Sequence, residues 1–142
     1  MTASWISHLR LRVGTVLIAF VAQWLVLPAR ADELADFQAA VAQASAQYRV
    51  AMTTLETSGR EETSAAVRRF RESWQGVSDR RGSSRPAAFT DAEHYAAMFM
   101  LVDTRIVGAL IVIDIGSRDA ARDALAPIAE TLSQLSAGPA PR

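Results

Sequence analysis

The chain has 142 residues with 15 arginines, no lysine, 15 acidic residues, two histidines and no cysteine. The lack of cysteine excludes a disulfide framework, a covalent c-type haem, a thiolate zinc site, a lipoprotein anchor and a cysteine nucleophile, and the lack of lysine excludes Schiff-base chemistry. Abundant alanine and an all-arginine basic set favour helix, since both residues are strong helix formers.

Residues 1–12 carry Arg10 and Arg12 and no acid, residues 13–27 form an apolar run, and Pro28 follows. That order is the order of a secretory signal peptide. Ala29 and Ala31 supply small residues before an expected cleavage between Ala31 and Asp32, which would place the protein in the periplasm or outside the cell. The apolar run of fifteen is short against the roughly 20 residues of a spanning helix, so the mature form is not expected to span a membrane. Residues 32–142 hold 12 arginines against 15 acids, a formal charge of −3, and both charge and compartment argue against a nucleic-acid partner.

In residues 32–57, Leu34, Phe37, Val41, Ala44, Tyr48, Ala51 and Leu55 recur at alternating spacings of three and four, one stripe of a helix. Ser58 and Glu61 have capping-box spacing, and Thr63, Val67, Phe70, Trp74 and Val77 predict a second helix over 59–79. The stretch 79–89, with Gly82, Ser83, Ser84 and Pro86, reads as a long surface loop. Thr90 and Glu93 then suggest a second capping box, a third helix runs from Asp91 to Ile115, and Gly116 is placed to end it in a left-handed conformation. Ser117 can cap a fourth helix carrying Ala121, Leu125, Ile128, Leu132 and Leu135. Pro127 lies within it and removes the bond to the Asp123 carbonyl, so a bend is expected there. The tail 137–142 is expected to be frayed.

Four helices with short first and third connections predict an all-α, antiparallel up-down four-helix bundle over residues 32–136, following the signal peptide 1–31. In layout, length and export this chain resembles the secreted four-helix bundles of the cytochrome c-prime type. The resemblance covers architecture alone: the haem-attachment motif of that family needs cysteine, so its haem function does not carry over. The chain is also similar to exported bacterial bundle proteins, a likeness that implies no activity.

His94 and Met98 are residue types that ligate haem iron and copper, which makes a metal- or haem-binding bundle one reading of the sequence. Lying four apart on one helix, however, they are separated by about 6 Å along its axis and cannot take opposite faces of one haem. Met52, on the first helix, is expected far from His94 along the bundle axis. No cofactor is therefore expected. Downstream of residue 31 His94 is the only histidine, which leaves neither a serine triad nor the paired Glu-x-x-His motifs of a di-iron bundle, so no catalytic residue is assigned. Arg68, Arg69, Arg71, Arg80, Arg81 and Arg85 lie within eighteen residues that contain two acids, Glu72 and Asp79. A solvated face is the simpler reading; if functional, Arg80, Arg81 and Arg85 would meet an acidic surface. Tyr48, Phe70, Trp74 and Phe99 could line a pocket for a small hydrophobic ligand, although ordinary core is the simpler reading.

The third helix is apolar on two sides. Tyr95, Met98, Phe99, Val102, Ile106, Ala109 and Ile113 form an inward stripe. At about 100° per residue, Ala97, Met100, Leu101, Thr104, Val107, Gly108, Ile111 and Ile115 fall on the opposite side, with Thr104 the single polar member. A peripheral helix of a solitary bundle has no use for such a face; either helix three is central and the face is covered by helix four, the long loop or the tail, or it is an intermolecular interface. The expectation is a non-enzymatic exported protein that works by protein–protein contact, with itself as a homodimer or with another exported protein.

Overall fold

The computed structural model describes the backbone of residues 9–80 and 89–137 and the side chains of residues 32–80 and 89–137. The protein is all-α: these residues form α1 (Leu9–Thr57), α2 (Arg60–Arg80), α3 (Ala92–Asp114), α4 (Arg118–Leu125) and α5 (Ile128–Ala137), and no strand occurs among them. Two compact units are distinguished, residues 1–33 and 34–142. The expected signal segment 1–31 lies outside the residues whose side chains are described; its backbone is helical from Leu9 onward, so α1 begins well before the expected Asp32. The central part of the connection between α2 and α3, and the end of the tail, also lie outside the described residues.

Within residues 34–142 the core follows the helical period. Phe37, Val41, Ala44, Tyr48, Ala51 and Leu55 are buried on α1, and Thr63, Val67, Phe70, Trp74 and Val77 on α2. The whole inward stripe of α3 is buried, as are Ala121, Leu125, Ile128, Leu132 and Leu135 on α4 and α5. Leu34 departs from the expectation: it opens this unit one turn before the first buried residue and is 37% exposed. Phe89 departs in the other direction. It is buried with its ring 5.1 Å from that of Tyr95, and so anchors the chain as it enters α3.

Helix ends show where a one-residue shift in a capping pattern is resolved by chemistry. The α3 cap is Asp91, not Thr90: its Oδ1 accepts from the backbone N–H groups of Glu93 and His94 at 2.9 and 3.0 Å. A carboxylate there both satisfies two orphan donors and meets the positive end of the helix dipole, which threonine cannot do. The first capping pair is likewise displaced, from Ser58 and Glu61 to Gly59 and Glu62, where the Gly59 N–H donates to Glu62 Oε2 at 2.8 Å. At the far end of α3 the expectation of a left-handed glycine holds: Gly116 has φ +84°, its N–H reaches the Ile113 carbonyl, and the Ser117 N–H reaches that of Val112. Those two bonds form a Schellman motif. Ser117 occupies the cap position of α4, although its side chain makes no capping bond.

Pro127 breaks the expected fourth helix rather than bending it, so α4 ends at Leu125 and α5 starts at Ile128. The Ala129 N–H turns to the Ala126 carbonyl instead of continuing the α-helical ladder. That leaves the Leu125 carbonyl open to Tyr48, whose hydroxyl donates to it at 3.2 Å. The Tyr48 ring meets Phe70 edge-on at 5.5 Å, so one side chain of α1 ties both α2 and the α4–α5 break. Burial raises the Tyr48 hydroxyl above the ordinary tyrosine range, since ionisation there would strand a charge away from water.

α3 packs against α2, α4 and α5. Trp74 locks α2 to it by donating its indole N–H to Asp103 Oδ1 at 2.8 Å while its ring lies 5.1 Å from Phe99. At one end of the unit, Arg118 donates to the carbonyls of Glu56 and Ser58, and Arg60 to that of Asp114. Arginine is suited to this, since the last carbonyls of α1 and α3 have no partner of their own within the helix.

Candidate functional site

The outer face of α3 is an apolar strip in water with the polar Thr104 at its middle. Met100 is 69% exposed, Leu101 38%, Val107 45%, Ile111 58% and Ile115 75%. Ala97 and Thr104 are exposed and Gly108 is half-buried, so all eight residues of the expected second face lie at the surface to some degree. These eight residues, the last at the C-cap, lie on one side of α3 because they recur at three- and four-residue spacings, and among the described residues it is the other stripe that is buried.

Gly108 sharpens the reading. An interior helical glycine costs about 1 kcal/mol relative to alanine, and a Cβ added at Gly108 would meet nothing within 4 Å. Packing among the described residues therefore supplies no reason for glycine at this position. A second backbone approaching the outer face would supply one.

By length and apolarity α3 could also cross a membrane, with about a third of its most apolar stretch buried. Against that reading stand Asp103 and Arg105 near mid-helix, the former already accepting from Trp74. Charge at the centre of a bilayer costs at least about 2.5 kcal/mol per residue. The inward stripe is, moreover, engaged by other helices of the chain.

The remaining candidates do not gather into sites. Met98 is in the core, Met52 packs half-buried against it, and His94 is exposed. Among the described residues no group of three or more His, Cys, Asp or Glu could hold a metal ion. Tyr48, Phe70, Trp74 and Phe99 are buried and pack ring against ring in two pairs. Arg68, Arg69 and Arg71 are exposed on α2, and Arg80 donates to the Gly76 carbonyl at 2.6 Å; Arg81 and Arg85 lie outside the described residues. A polar cleft between α2 and α3 is lined by Arg71, Gln75, Ser78, Asp79 and Asp103, with Ile106 and Val107 at its α3 side. It mixes both signs of charge and includes no histidine.

The sequence reading missed Val50, a second large apolar side chain that α1 leaves 46% exposed. It lies off the stripe of Tyr48, Ala51 and Leu55, so no periodic signal marks it. The chain matches no protein-family profile, no curated protein and no solved structure.

Proposed function

We propose that this is an exported, non-enzymatic helical-bundle protein that works through protein contact, with the outer face of α3 pairing with the same face of a second copy. The observation that carries the reading is the exposure of that strip. Summed over Met100, Leu101, Val107, Ile111 and Ile115, it equals roughly three fully exposed apolar side chains. At about 1.5–3 kcal/mol per side chain, covering one face yields roughly 5–9 kcal/mol. Association costs about 4–15 kcal/mol, so one face against a polar partner gains little. Self-pairing doubles the apolar surface removed from water per contact, which favours a second copy as the occupant. Export after cleavage between Ala31 and Asp32, and an up-down bundle of the four predicted segments, belong to the same proposal and rest on the N-terminal sequence pattern and the helix order.

Light scattering on the protein recovered from cells expressing the full chain tests the pairing. Twice the protomer mass is expected for the wild type, and the single mass for Val107→Glu and Ile111→Glu, with helicity retained in both. A wild-type monomer, unchanged by either substitution, refutes it. N-terminal sequencing of the same material tests export separately, with Asp32 as the expected first residue.

A further inference from the structure

We infer that the two α3 helices meet antiparallel about a two-fold axis through Thr104. This inference rests on the self-pairing proposed above and adds its orientation. On the outer face Met100 and Val107 lie to one side of Thr104, and Leu101 and Gly108 to the other, at the helical angle of about 100° per residue. A two-fold axis perpendicular to both helices keeps each side facing its own kind and reverses the axial order. Ala97 of one copy then lies level with Ile111 of the other and Thr104 with itself, Leu101 lies within one residue of Gly108 and Met100 within one residue of Val107, and Ile115 reaches the level of Glu93 at the edge of the contact.

Two of these layers set a large side chain against a small one, and the two helices can stay at a nearly constant distance. Gly108 acquires its purpose, since the missing Cβ is where Leu101 of the other copy seats, and no described residue of its own chain comes within 4 Å of that position. A parallel pair does worse. It sets Ile111 against Ile111 and Ala97 against Ala97, wide at one layer and hollow at the next, which close packing does not tolerate. The orientation is thus fixed by where large and small residues fall along a single helix.

Because the chain has no cysteine, introduced thiols are the only ones present. In the antiparallel pair the two Ala97 positions lie about 21 Å apart along the axis, beyond the roughly 7 Å Cα separation a disulfide spans. Ala97→Cys and Ile111→Cys, each in the full chain, are mixed and oxidised mildly. Linked product that joins one variant to the other is expected, on the order of tenfold above either variant linked to itself. Thr104→Cys, which sits on the axis, should link to itself. Self-linked Ala97→Cys and Ile111→Cys without the mixed product would overturn the antiparallel orientation while leaving self-pairing intact. Absence of any link, Thr104→Cys included, together with a monomer in light scattering, would overturn both.

Discussion

The two faces of α3 carry nearly the same chemistry and meet opposite fates. Met98, Val102 and Ile106 are buried against neighbouring helices, while Met100, Val107 and Ile111, of the same residue types, lie in water. Hydrophobicity alone therefore does not place a residue inside. Burial depends on whether the chain has a further element to lay over that face, and among the described residues α3 packs on α2, α4 and α5 with its inner stripe buried.

The contrast can be broken first where the effect is largest. Phe99→Ala on the inner face removes a ring packed on Trp74 and Tyr95, and should cost about 3–5 kcal/mol of unfolding free energy in denaturant titrations. Ile106→Ala should cost about 2–5 kcal/mol. Ile111→Ala, the same change on the outer face, should cost under about 1 kcal/mol in dilute protein and show its effect only as a loss of concentration dependence in Tm. Equal losses at Ile106 and Ile111 would mean that the outer face is covered within one chain. Gly108→Ala should raise the stability of the dilute protein by about 0.4–1 kcal/mol, because alanine is the better helix former and the space beside Gly108 is empty, and at the same time weaken self-association. Weakened stability with unchanged association would reverse the assignment of Gly108.

Two smaller effects concern the scaffold that holds these faces apart. Asp91→Ala should cost about 1 kcal/mol by freeing the first amides of α3, and Asp91→Asn should recover most of it. Tyr48→Phe should cost a similar 1 kcal/mol or so by leaving the Leu125 carbonyl without its donor. The Tyr48 hydroxyl titrates higher in the folded than in the unfolded chain, so its contribution is complete below the ordinary tyrosine pKa of about 10 and is lost as pH climbs above it. Tm measured from pH 8 to 11 should fall above pH 10, and fall less steeply in Tyr48→Phe.

Much of this was legible in the residue order. The buried stripes of α1 (after Leu34), α2, α3 and the fourth predicted segment follow the three-and-four spacing, because an amphipathic helix writes its burial directly into its period. Gly116 was legible too, since a positive φ is strongly a glycine property. Caps were legible as chemistry but not to the residue: Thr90, Asp91 and Glu93 all have capping side chains, and only the path of the chain selects Asp91. Phe89 looked like loop because a single aromatic carries no period.

Composition and periodicity by themselves determined that the protein is helical, which residues each helix could turn inward, that cysteine and lysine chemistry is excluded, and that α3 has two apolar sides. Tertiary structure decided which of those two sides is used, that Pro127 separates two helices, and that Tyr48 crosses to the buried carbonyl left open beside the break. The reason is one of range. A helix is specified by neighbours three and four residues away, whereas the covering of a face depends on partners tens of residues distant, whose positions no local pattern records.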